Sequence, residues 1–197
     1  MKGSAYTLVY AAVLGAACAL LLTGAASFTA PYRQANSEAE EARNILIALN
    51  VPLPEKASST VVLELRAKNV QETKLGDMAT YVYSPSDAGG KVLATAVRFA
   101  GPGLWGPIKG FLALEADMKT IRGITFYEQE ETPGLGGEIA TRRFTQQFDG
   151  QRIASPSGEP RLAVHAISGA TMTSRRVQEM LERTVRRILE TQNRAKR

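Results

Sequence analysis

Four hydroxyl side chains, Ser168, Thr171, Thr173 and Ser174, crowd around Gly169 immediately ahead of a C-terminal stretch with helical periodicity. The start of a helix carries unpaired N–H groups and the positive end of the helix dipole, so hydroxyls there suit a phosphate, either cradled or esterified. The same side chains would serve equally as ordinary Ser/Thr caps. Two further glycine-bearing segments accompany this one, Gly101-Pro-Gly103-Leu104-Trp105-Gly106 and Glu131-Thr132-Pro133-Gly134-Leu135-Gly136-Gly137. The first formally matches G-x-G-x-x-G and has an acid, Glu128, about twenty residues beyond. Pro107, Gly110 and an apolar run follow it instead of a helix, and no βαβ units come after, so a dinucleotide fold is not expected. One Cys and one His exclude an internal disulfide, CxxC metal sites and His-rich zinc centres. Redox chemistry on this chain therefore requires an organic cofactor.

The elements that must position these segments follow from periodicity. Val177, Met180, Leu181, Val185, Ile188 and Leu189 form one apolar stripe, which predicts a helix from Ser174 onward. Runs at Val61–Leu65, Ala79–Tyr83, Val92–Phe99, Phe111–Glu115 and Ile121–Glu128 read as strands. Turns are expected at Gly76-Asp77, through Ser84–Gly90 and through Asp117–Thr120. Upstream, Ser37 with Glu40 makes a capping-box pattern, so a helix carrying Ala42, Ile45, Leu46 and Leu49 should start there and pack on its own domain. Strands in the middle with helices at both ends predict an α+β domain.

The chain of 197 residues opens with 24 uncharged residues, Ala5–Phe28, rich in Ala and Leu. A helix of that length matches the hydrocarbon thickness of a bilayer, and the run exceeds the apolar core of most signal peptides, although Thr23–Ser27 offers small residues for cleavage. The expected division is an anchor over residues 1–30 and one domain over residues 31–197. Lys2 gives a weak positive-inside bias, which puts the rest of the chain outside the cytoplasm. The net charge of +5 is uneven: residues 175–197 hold eight basic and three acidic side chains, and the remainder is near neutral. A basic balance confined to one helix and tail, with no nucleic-acid module behind it, speaks against nucleic acid as a partner.

Ser168-Gly169-Ala170-Thr171, followed by Thr173-Ser174, resembles the flavinylation motif of the FMN-binding domain family. Glu131-Thr-Pro-Gly-Leu-Gly136 is similar to that family's second signature. With Gly103-Leu104-Trp105 and Gly110–Glu115, the pattern looks most like the C subunits of sodium-translocating NADH:quinone oxidoreductases, and next like the G subunits of Rnf electron-transport complexes. The resemblance implies a single N-terminal transmembrane helix followed by an FMN-binding domain with a mostly antiparallel sheet flanked by helices. It also implies FMN as cofactor, joined through its phosphate to Thr171 by a flavin transferase. Ser168, Gly169 and Ala170 would shape the loop, and Thr173 would help hold the phosphate. Leu104 and Trp105 would lie near the flavin ring, and Glu131, Thr132, Gly134 and Leu135 would border it. Glu131 is expected to be solvated or capping. No metal and no acid–base residues are implied, and the chain would relay electrons among other membrane subunits of a quinone-reducing complex. The implied location is the inner membrane of a bacterial cell, with the C-terminal domain on the periplasmic side. His165 and Gln129 stand where the family usually has Asp and His. A module that binds FMN without a covalent bond is the alternative.

Overall fold

Helix α1 (Lys2–Ala48) runs for 47 residues and passes through Pro31 in the computed structural model, which describes residues 2–54, 56–85, 89–155 and 158–195. The expected start at Ser37 is therefore corrected: Asn36–Glu41 lies inside α1. A helical proline removes one N–H donor and crowds the carbonyl four residues back. Nearby side chains bond to the backbone earlier in the same helix, the Thr29 hydroxyl donating to the Ala25 carbonyl (2.9 Å) and Arg33 Nη2 to that of Ala26 (3.3 Å). Contacts divide the chain into a unit ending at Glu38 and another beginning at Ala39. In the first, Leu8, Val9, Val13, Leu20, Leu21 and Phe28 are all exposed, and the helix is long and apolar enough to cross a membrane.

In the second unit, Ala42, Ile45, Leu46 and Leu49 are buried, as their spacing requires. The predicted strand at Val61–Leu65 is instead part of helix α2 (Ser59–Asn69). Ser58 caps it by accepting from the Val61 amide, and only Val62 is buried, so the β-branched run turns one side chain inward rather than alternating. The strand signal lies just beyond, in β1 (Val70–Leu75), whose polar residues Gln71–Lys74 form an exposed edge that hydropathy does not reveal.

A five-stranded meander follows: β1, β2 (Met78–Tyr83), β3 (Ala94–Pro102), β4 (Pro107–Glu115) and β5 (Ile121–Glu128), each antiparallel to the next and in sequence order. The turn at Gly76-Asp77 joins β1 to β2; of the turn at Ser84–Gly90, Ser86–Ala88 lie outside the described residues. Side chains alternate between the two faces of a sheet, so each strand feeds two cores. Val97, Phe99, Leu112, Leu114, Ile124 and Phe126 pack with α4 (Thr171–Ala195) through Val177, Met180, Leu181, Val185 and Ile188. Tyr81, Ala94, Ala96, Phe111 and Ala113 pack with Ile45, Leu46, Leu49 and Val62. Between β5 and α4 lie a 3-10 turn at Gly136–Ala140, the short α3 (Arg142–Thr145) and a second 3-10 turn at Gln146–Phe148, which insert Ile139, Phe144 and Phe148 into the α4-side core. The expected α+β domain, with an antiparallel sheet flanked by helices, is what the chain forms.

Candidate functional site

The segment Gly101–Gly106 is the tip of the β3–β4 hairpin: Pro102 pairs with Pro107, and the Gly103 amide donates to the Gly106 carbonyl (2.8 Å). No helix opens at these glycines, in agreement with the rejection of a dinucleotide site. Leu104 and Trp105 occupy the tip, and Trp105 is 70% exposed, so it does not fill the core.

After β5 the chain enters Glu131–Gly137, where the expectation for Glu131 is corrected: the residue is 4% exposed. Its Oε1 accepts from the backbone amides of Leu104 (2.7 Å) and Trp105 (3.2 Å), and its Oε2 accepts from Thr173 Oγ1 (2.6 Å). Gln129 Oε1 accepts from the Glu131 amide itself (2.7 Å). One carboxylate thus ties the hairpin tip to the first turn of α4. Two glycines make room for it. A Cβ on Gly103 would meet Glu131 Oε1 at 2.4 Å, and one on Gly136 would meet Oε2 at 2.7 Å. A buried carboxylate is tolerable where several donors satisfy it, and three do so here.

Helix α4 begins at Thr171, earlier than the Ser174 expected from periodicity, because the hydroxyl-rich segment is itself the first turn. The four hydroxyls separate by environment. Ser174 is buried; its Oγ accepts from the Ile167 amide (3.0 Å) and donates to the Ala170 carbonyl (3.0 Å), which closes the loop that enters the helix. Thr173 is buried and committed to Glu131. Thr171 and Ser168 are exposed, and neither side chain makes a hydrogen bond among the described residues. Gly169 turns the loop at φ +77°, a left-handed conformation that side-chain-bearing residues rarely adopt.

Leu104, Trp105, Glu131, Thr132, Leu135, Gly136, Gly169, Ala170, Thr171, Met172 and Thr173 line one open cleft of about 440 Å³. The three glycine-bearing segments therefore meet. Of the residues singled out from sequence, Ser168 and Gly134 do not line the cleft. Met172 and Gly136 do, and sequence reasoning passed over both: Met172 reads as a helix residue and Gly136 as punctuation, although each sits inside a quoted motif. Arg175 is exposed and pairs with Glu179 (3.4 Å); neither it nor Arg176 lines the cleft. The last residues of the basic tail, Lys196 and Arg197, lie outside the described residues.

The cleft fits FMN by its chemistry. An unengaged hydroxyl stands on the opening turn of a long helix, whose first N–H groups lack intrahelical acceptors and favour an anion. Leu104, Trp105, Leu135 and Met172 offer apolar surface of the kind a flat heteroaromatic ring covers, and all four are exposed.

Residues 103–186, from the hairpin tip into α4, match the family described as an FMN-binding domain, and FMN is the cofactor the match supports. More particularly, the chain is similar to the C subunit of the Na(+)-translocating NADH-quinone reductase of Pasteurella multocida, with 26% identity over 85% of this chain and 84% of that protein. It is 40% identical to the counterpart in Neisseria meningitidis over half of this chain and 43% of that protein. Among solved structures, NqrC of Shewanella oneidensis shares the fold at a TM-score of 0.69 and 23% identity, over 82% of this chain and 99% of the other. The C subunit of the Na(+)-translocating NADH-quinone reductase from Parabacteroides distasonis superposes with a TM-score of 0.66 at 25% identity, over 81% of this chain and 94% of the other. The resemblance read from the motifs is thereby supported.

Proposed function

We propose that this chain is the membrane-anchored, flavin-carrying electron-transfer subunit of a sodium-translocating NADH:quinone oxidoreductase, with FMN held covalently on Thr171. The observation that carries the reading is the sorting of the four hydroxyls: among them Thr171 alone both lines the cleft and is unengaged. Attachment converts its hydroxyl to a phosphoester. The Oγ1–P bond forms, a phosphoanhydride bond of an activated flavin donor breaks, and the hydroxyl proton departs with the leaving group; a flavin transferase performs this step. FMN, when bound, supplies the one- and two-electron chemistry of its ring. The chain's own residues position and shield it. Glu131 holds the hairpin tip against α4; Leu104, Trp105, Leu135 and Met172 would cover the ring and keep water from it, and the N–H groups of the first turn of α4 would favour the phosphate. A phosphoester keeps the cofactor in place without tight noncovalent affinity, which suits a relay that never releases it. The apolar run Ala5–Phe28 anchors the chain in the inner membrane with the domain on the periplasmic side, beside the other membrane subunits of the complex.

The test is the intact mass of the chain co-expressed with its flavin transferase. One FMN added with loss of water is expected, and Thr171→Ala should abolish it. An unmodified wild-type mass, both there and in the native host, would sink covalent attachment, and an adduct that survives in Thr171→Ala would move the site. A G-type subunit of an Rnf complex has the same chemistry, and gene neighbours separate the two. His165, in place of the usual Asp, favours a second reading in which FMN binds without a bond; acid denaturation would then strip the yellow colour from the polypeptide.

A further inference from the structure

The segment that delivers the chain to Thr171 has no regular secondary structure from Leu162 to Ile167, and among the described residues no strand pairs with it. Leu162 is buried, and Val164 and Ile167 pack against the α4-side core, which leaves the main chain of the residues between them in need of partners. Two glutamine side chains provide these. Gln151 Oε1 accepts from the Ala163 amide (2.9 Å) while its Nε2 donates to the Ala163 carbonyl (2.8 Å). Gln147 Oε1 accepts from the His165 amide (2.6 Å), and its Nε2 donates to the Phe144 carbonyl (2.8 Å), with the His165 carbonyl farther off at 3.5 Å. The Gln151 carboxamide thus meets both the N–H and the C=O of Ala163, as a residue of a neighbouring antiparallel strand would, and the Gln147 carboxamide takes up the N–H of His165. Gln147 lies in the 3-10 turn Gln146–Phe148 and Gln151 just beyond the left-handed turn at Gly150 (φ +76°), so both arms come from one compact loop. Gln151 Nε2 also donates to the Gln147 carbonyl (2.7 Å), which joins the two arms. Gln178 of α4 donates to the Leu162 carbonyl (3.3 Å).

We infer that Gln147 and Gln151 are positioning residues for the modification of Thr171: their carboxamides stand in for a missing strand and pin the main chain at Ala163 and His165, so that the chain leading to the acceptor hydroxyl is ordered before a transferring enzyme grips it. This rests on the covalent reading above. The side chains of Ala163, His165, Ala166 and Ser168 are exposed, so the pinned segment offers a continuous surface up to Thr171. Ordering that surface in advance removes a conformational cost from the encounter. Side chains rather than a strand do the pinning, which makes the device separable from the sheet.

The whole chain carrying Gln147→Ala and Gln151→Ala tests this in two measurements. Amide hydrogen exchange in the unflavinylated protein should accelerate at Ala163 and His165 by about tenfold or more, the loss of one to two hydrogen bonds each, while β3 and β4 amides keep their protection. The rate of FMN addition at Thr171, followed by intact mass with the flavin transferase co-expressed, should fall several-fold. Gln147→Met with Gln151→Met keeps both stems but loses both acceptors and both donors, so it serves if the alanine variant fails to fold and should give the same local result. Unchanged exchange at residues 163 and 165, or FMN addition at the wild-type rate despite faster exchange, would overturn the inference while the covalent reading stands. A wild-type chain that takes no FMN would instead remove the covalent reading, and the inference with it.

Discussion

Thr171 and Glu131 are close in space but were legible to different degrees. The Ser/Thr cluster around position 171 stood out because hydroxyls before an apolar stripe have a local chemical meaning, as caps or as a phosphate site, and only the resemblance to the FMN-binding domain family singled out Thr171 among them. Glu131 did not stand out, since an acid in a glycine-rich loop is ordinarily solvated, and its burial depends on Leu104 and Trp105 from β3–β4 and Thr173 from α4 arriving together. Replacing Glu131 with Ala leaves those three donors without an acceptor and should cost about 1–3 kcal/mol, read by urea denaturation of the unflavinylated chain. Glu131→Gln keeps an acceptor for the two amides and should recover most of that loss. Equal stability of the wild-type and Ala chains would show that the carboxylate is no strut.

The elements hold two further expectations. Phe111 is fully buried between the edge of Tyr81 (centroids 5.5 Å apart) and the face of Tyr127 (5.0 Å), so Phe111→Ala should destabilise the domain by about 3–5 kcal/mol in the same denaturation experiment. The β4–β5 turn depends on Asp117. Its Oδ1 accepts from the Lys119 (2.8 Å) and Thr120 (2.9 Å) amides and its Oδ2 from the Thr120 hydroxyl (2.8 Å). The Lys119 amide above all, with Thr120 adding to it against a smaller opposing effect of burial, holds the carboxyl below its ordinary 3.8. A lowered folded pKa means that the contribution is complete above about 3.8 and disappears as pH falls through the folded value. Stability measured against pH should therefore drop in that acid range, and Asp117→Asn should flatten this part of the profile. β5 was read from sequence with its observed bounds because Ile121, Ile124, Thr125, Phe126 and Tyr127, β-branched or aromatic, cluster between the Asp117–Thr120 turn and the polar residues 128–131. Residues 61–65 were misread because β-branched residues are compatible with either state, and it was the Ser58 cap and the packing of Val62 that selected the helix.

Over the whole molecule, the exposed apolar side chains of the first unit have no cover within it, and under the proposed anchoring a bilayer would remove their cost. The chain is expected to sediment with membranes and to stay there through alkaline and high-salt washes; release by salt alone would count against an anchor. The basic excess lies on α4, where Arg187 pairs with Asp77 (2.7 Å) and Arg175 with Glu179 (3.4 Å). Those exposed pairs contribute little to stability, and the charge bears on the helix surface rather than on the cleft.

What the sequence determined alone is what depends on neighbours along the chain: the apolar N-terminal run, the periodic faces of α4 and β5, the turn at Asp117–Thr120, and the hydroxyl-rich motif with its implied FMN. What only the tertiary structure decided is which of those hydroxyls remains available. Thr173 and Ser174 are withdrawn by a carboxylate 42 residues upstream and by a loop carbonyl, and Thr171 is left open on the cleft. Local spacing places four similar hydroxyls within residues 168–174; burial and hydrogen bonding, which sum contacts from distant segments, make them different.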